Sequence, residues 1–225
     1  MRLKSFGCSF IYGFEMADTI GPFGDVVPSQ SSYPALMAKH IGYEYQCFAQ
    51  CGSGNLAILE KILSQVAASD KTDIFVISWS WIDRYDYYNS VTAPAVIEKG
   101  EWIIMTPGDQ TKLAQTYYRE LHSEYRDKLT SLSYIKLAID TLNQHGIQFI
   151  MTYMDKLIVD QQWNTTPAVL LLQSQVTPYL TTFDGKTFLD WSRTHGYKES
   201  AQWHPLEQAH SAASDYMIKQ HKGML

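Results

Sequence analysis

Apolar and polar positions fall into two kinds of run along the chain. Four short apolar runs, Leu3 to Phe6, Tyr43 to Phe48, Ile74 to Trp79 and Ile147 to Met151, read as buried parallel strands. Between them the apolar positions recur at helical spacing. Ser32 can cap a helix with Pro34 in its first turn, and PALMAKHI carries it to a stop at Gly42. Asn55 can cap LAILEKILSQVAA, in which Leu56, Leu59, Ile62, Leu63 and Val66 form one apolar stripe. A longer helical pattern runs from about Thr111 to His145 and ends at Gly146, a residue suited to the position after a helix. The last helix is expected after Pro205, reaching about Gln220.

Strand–helix alternation with short connections predicts one α/β domain over residues 1–225, built on a doubly wound, mainly parallel sheet. In such sheets ligands bind beyond the carboxyl ends of the strands. Two stretches interrupt the alternation. Residues 86–110 suggest a hairpin around Lys99-Gly100, and residues 155–200 read as irregular apart from an apolar helix-like piece at Ala168 to Gln173. Both are expected to fold over the strand ends and shape a pocket.

Composition narrows the function classes. Net charge is -5, so a nucleic-acid partner has no electrostatic support. No apolar run is long enough to cross a membrane, and MRLKSFGCSF lacks the apolar centre of a signal peptide; cytoplasmic placement is expected. The three cysteines, Cys8, Cys47 and Cys51, fit reduced thiols better than a disulfide framework, and no second ligand pair accompanies Cys47 and Cys51 to hold zinc. Neither a metal nor a cofactor is expected.

Three short segments carry candidate chemistry. Ser9, in Gly7-Cys8-Ser9, leaves the first strand at its carboxyl end, facing the expected crevice. A serine hydroxyl becomes a nucleophile when a base takes its proton. Gly52-Ser53-Gly54-Asn55 follows the second strand and opens a helix, so its backbone N–H groups can approach an anion. His204, in Trp203-His204-Pro205, precedes the last helix and is a candidate general base. Each segment also has a plain reading, as a turn, a cap or a structural histidine; His210, two turns into the last helix, is a further neighbour to consider.

In combination these segments resemble the SGNH (GDSL-like) hydrolases. SFGCSFIYG is similar to their first block, with Cys8 where Asp is common; Cys47 to Gly52 is similar to the second; WHPLEQAH is similar to the fifth. The order GCSF…GSGN…WHP…H also resembles short SGNH-like proteins of bacteriophages and their hosts, which would make virion association an option. The resemblance implies a flavodoxin-like three-layer α/β/α fold. It implies hydrolysis of a small acyl ester, acetyl-type and possibly on a carbohydrate, with Ser9 as nucleophile, His204 as base and Gly52 in the oxyanion hole.

Two departures stand against it. The third block normally supplies an Asn after the third strand, where this chain has Ser78-Trp79-Ser80-Trp81; Asn55 or Ser80 is the substitute donor to consider. The family's Asp three residues before the histidine is Ala201 here, and Glu199 is the favoured stand-in, ahead of Asp190 or a backbone carbonyl. Arg84 and Trp79, at the end of the third strand, are candidates for substrate contact. The departures leave other readings open: a catalytically impaired binding or virion-associated protein, an acyltransferase using the same acyl-enzyme, or a nucleotide-binding flavodoxin-like protein.

Overall fold

A computed structural model describes residues 1–21, 24–89 and 101–225 of the chain. In chain order the elements are β1 (Arg2–Phe6), α1 (Ser9–Tyr12), α2 (Tyr33–Ile41), β2 (Glu44–Cys47), α3 (Asn55–Val66), β3 (Ile74–Trp79) and β4 (Tyr85–Asn89). They continue with β5 (Glu101–Met105), α4 (Lys112–Glu120), α5 (Glu124–His145), β6 (Gln148–Tyr153), α6 (Pro167–Val176), α7 (Phe188–Thr194) and α8 (Glu207–Gln220).

The four predicted strands form one parallel sheet in the order β2-β1-β3-β6. Alternation along the strands divides the core in two. Leu3, Val76 and Ile150 pack with Met37 of α2 and Ala213 and Met217 of α8. Phe6, Phe75, Ile77 and Met151 face the other way, onto Ile58 and Ile62 of α3 and Leu132 and Ile139 of α5. The result is a three-layer α/β/α fold of the flavodoxin-like type. All six residues of β3 are buried, as its position inside a covered parallel sheet requires. No helix among the described residues is long and apolar enough to cross a membrane.

Several local expectations are corrected. The pattern from Thr111 to His145 is two helices, because Ser123 accepts from the Arg126 N–H and starts α5 afresh. Asn55 is inside α3 rather than capping it; Gly54 holds the cap position. The buried stripe of α3 is Ala57, Ile58, Leu59, Ile62 and Val66, while Leu63 is exposed. The last helix does begin after Pro205, with Leu206 as the cap of α8, and ends at Gln220 as expected. Residues 155–200 hold α6, α7 and two short 3-10 turns, at Lys156–Ile158 and Thr177–Tyr179, and are not irregular. In the 86–110 stretch β4 pairs antiparallel with β5, with Tyr85 opposite Met105; the turn expected at Lys99-Gly100 lies outside the described residues.

The second, two-stranded sheet is tied to the main body by one buried carboxylate. Asp86 of β4 accepts from the Gly54 N–H (2.9 Å) and the Ala57 N–H (3.0 Å). It therefore satisfies the first turn of α3, where N–H groups have no intrahelical acceptor. A Cβ on Gly54 would lie 2.5 Å from the Asp86 carboxylate, so only glycine fits there. Burial pushes the Asp86 carboxyl up from its ordinary range, offset by these backbone donors.

Candidate active site

β1 delivers Ser9 to the carboxyl edge of the sheet. Between them Gly7 turns the chain at φ +156°, with no room for a side chain: a Cβ there would meet Ile11 at 2.6 Å. Ser9 is the first residue of α1, so its own N–H has no intrahelical acceptor. The chain leaving β2 runs alongside. The Gln50 N–H donates to Gly7 O (3.1 Å), which sets residues 50–52 beside Ser9. Gly52 has φ +85°, and no described residue accepts from its N–H. Ser9 and Gly52 both line one cavity of about 450 Å³.

His204 reaches the same cavity from the loop before α8. Its Nε2 lies 2.8 Å from Ser9 Oγ, and its Nδ1 lies 2.6 Å from a Glu15 carboxylate oxygen. Glu15 also accepts from Ser200 Oγ, which in turn accepts from the His204 N–H (3.0 Å). These two hydrogen bonds, from Ser200 first and His204 next, hold the Glu15 carboxyl below its ordinary value. An ionised Glu15 can only accept, so Nδ1 carries the proton and Nε2 is left to accept from the Ser9 hydroxyl. Phe10 and Phe14 flank the imidazole, with ring centres 5.1 and 5.6 Å away, and limit its rotation. Glu15 has φ +67° and Trp203 has φ +62°. Left-handed backbone at two residues without glycine, both flanking this constellation, is strain of the kind found at functional sites.

The carboxylate on His204 is thus Glu15 and not Glu199. Glu199 forms a bidentate pair with Arg193 (2.8 and 3.1 Å), which holds it away from the imidazole. Asp190 accepts from Thr187 Oγ1 and pairs with Lys156. Asn55 is buried with its amide turned inward: Nδ2 donates to Ser131 Oγ (3.1 Å) and Ser80 O (3.3 Å), and Oδ1 accepts from the Ser80 N–H (2.8 Å). No amide hydrogen remains for an oxyanion. Ser80 is fully buried, its Oγ has no partner among the described residues, and it does not line the Ser9 cavity.

Trp79 is also fully buried, packed in the core with Phe75 and Leu132, so it cannot touch substrate. Trp81, two residues on, lines the cavity in its place, with Arg84 stacked over its ring at 4.7 Å. Arg84 lines the cavity as expected. His210 does not reach it: buried in α8, its Nδ1 accepts from the Tyr33 N–H (3.1 Å) at the start of α2. From residues 155–200, Leu189 and Arg193 line the cavity; no described residue of 86–110 does.

Sequence reading missed Glu15, Ser200, Arg193 and Trp203 as members of this site. Glu15 had one signal, as the first acidic residue after Ser9. Trp203, 68% exposed beside His204, had its position alone.

No protein-family model matches the sequence, and no curated protein matches it significantly. Solved structures do match in fold over the whole chain. The psychrotrophic esterase EstA from Pseudoalteromonas sp., in a structure inhibited by monoethylphosphonate, is similar at 8% identity and TM-score 0.55, covering 99% of this chain and 97% of that one. A member of the lipolytic G-D-S-L family from Veillonella parvula is similar at 12% identity and TM-score 0.52, covering 99% and 98%. A carbohydrate esterase family 2 enzyme from Corynascus thermopiles, solved with its carbohydrate-binding domain, is similar at 12% identity and TM-score 0.51, covering 99% of this chain and 66% of that chain. The fold of this chain is that of the SGNH, or GDSL-type, hydrolases.

Proposed function

We propose that this chain is a serine esterase of the SGNH type that cleaves small acyl esters by way of an acyl-enzyme. The observation that carries the reading is His204 hydrogen-bonded on one side to Ser9 Oγ and on the other to Glu15. In the first step Ser9 Oγ bonds to the acyl carbon as its proton passes to His204 Nε2. The ester C–O bond then breaks, and His204 returns the proton to the departing alcohol. Water attacks the acyl-enzyme with His204 again as base, releasing the acid and restoring Ser9. Glu15 keeps the imidazole in the required tautomer and stabilises the imidazolium formed in each half. The N–H groups of Ser9 and Gly52 face the developing oxyanion.

The absent Asp at Ala201 had favoured a catalytically impaired protein. Glu15, arriving from another segment, removes half of that argument. The absent third-block Asn remains: neither Asn55 nor Ser80 supplies its donor, and one missing donor typically lowers the rate by about a hundredfold or more. The expected enzyme is therefore slow on unactivated esters. Burial pushes the Cys51 thiol up to about 11, so this cavity-lining cysteine stays protonated at neutral pH and does not compete as a nucleophile. A carbohydrate carrier is supported by the exposed Trp203 at the cavity, whose face suits a sugar ring.

The test is hydrolysis of p-nitrophenyl acetate by the wild type, Ser9→Ala and His204→Ala. Turnover that falls at least about a thousandfold in both variants is expected. Turnover retained in Ser9→Ala would sink the reading.

A further inference from the structure

Resting on the esterase reading, we propose that the Ser9 cavity selects esters that carry a carboxylate, which Arg84 holds.

Charge is distributed unevenly around this cavity. Two guanidinium groups line it, Arg84 and Arg193, and among the described residues no Asp or Glu does. That is notable in a chain of net charge -5. A second cavity, lined by Ile82 and Asp83, is richer in acids: Asp83, Glu124, Asp127 and Asp155 line it, with His122 paired to Asp127. With Arg193 paired to Glu199, Arg84 is the cation that favours an anionic substrate at the Ser9 opening.

The two arginines differ in what they have left to offer. Arg193 is engaged by Glu199 through two hydrogen bonds. Arg84 has no carboxylate within ion-pair distance among the described residues. Its one hydrogen bond among the described residues runs from Nη1 to Ser53 O (3.1 Å), and its plane is fixed over Trp81. Its acidic neighbours in sequence are turned to other work: Asp86 accepts from the Gly54 and Ala57 N–H groups, and Asp83 lines the acidic cavity. A guanidinium has five N–H donors in a fixed fork, and the free ones match a carboxylate in a bidentate pair. Stacking on Trp81 and the bond to Ser53 pre-orient that fork, so little ordering remains to be done when substrate binds.

The carboxylate can sit on either side of the ester bond, and two matched pairs of substrates separate the cases. For the carrier side the pair is 4-acetoxybenzoate and 4-acetoxybenzamide. For the acyl side it is the mono-p-nitrophenyl ester of succinate and p-nitrophenyl butyrate. kcat/KM is measured by phenol release for the wild type and Arg84→Gln, with Ser9 phosphonylation by a neutral fluorophosphonate followed in parallel. A charge-assisted pair predicts a preference of at least about tenfold for the anionic member in one pair, collapsing in Arg84→Gln. The pair that shows it identifies the side. No preference in either pair, or a preference that survives Arg84→Gln, overturns the proposal. An equal loss on both members also overturns it, since the guanidinium would then act at the reacting carbonyl. Phosphonylation separates the two failures. A Ser9 adduct without selective turnover removes the selectivity alone; no adduct and no turnover removes the esterase reading and the selectivity with it.

Discussion

At the scale of single residues, the proposed chemistry turns on Glu15. It lies 2.6 Å from His204 Nδ1, the place where the resemblance had implied a carboxylate from position 201. Glu15→Gln keeps the size of the side chain and removes the charge that fixes the tautomer. We expect kcat/KM on p-nitrophenyl acetate to fall by about 10²- to 10⁴-fold at pH 7, with much smaller loss in Glu199→Gln. Equal losses in the two variants would contradict the assignment. The convergence of Ser9, Gly52 and His204 on one cavity was legible in the sequence because each sits in a short local motif at the end of a strand or before a helix. Glu15 was not, because its relation to His204 spans the chain and depends on how the loop after α1 folds back onto Ser200. Asn55 was misread for a similar reason. Its motif was visible, but the direction of its amide is decided by Ser131 on α5 and by the backbone of Ser80.

At the scale of elements, the junction of β4 with α3 links the second sheet to the loop that presents Gly52. Asp86 makes that link by accepting two N–H groups of the first turn. Asp86→Ala leaves both donors buried without an acceptor, a change expected to cost about 1–3 kcal/mol of unfolding free energy by urea denaturation. An unchanged midpoint would mean that the cap contributes nothing. The four strands of the main sheet were readable from apolar runs, since a covered parallel sheet demands continuous apolar strands; their order, β2-β1-β3-β6, comes from the structure. The division of the Thr111–His145 pattern was not. Helical periodicity carries on across the break, and only the Ser123 side chain, bonded to the Arg126 N–H, reveals the new start.

At the scale of the whole molecule, α8 ties two distant segments together: it follows His204 directly and carries His210, whose Nδ1 caps α2. Burial lowers the His210 pKa from the ordinary 6.5 to about 3, so the folded state holds it neutral. A histidine depressed by folding contributes stability that is intact above its unfolded pKa. That contribution shrinks as pH falls from about 6.5 toward 3, because the unfolded chain takes up the proton first. The wild type is therefore expected to lose more stability between pH 7 and pH 4.5 than His210→Gln, in which the amide oxygen still accepts from Tyr33. Equal losses in urea midpoint would contradict this role. The central claim is an activated Ser9, and the most direct measurement is intact mass after incubation with a fluorophosphonate. The account predicts one adduct per chain on the wild type, none on Ser9→Ala, and slowed labelling in His204→Ala and Glu15→Gln. A well-folded wild type that takes up no adduct, or a Ser9→Ala protein that still does, would contradict it.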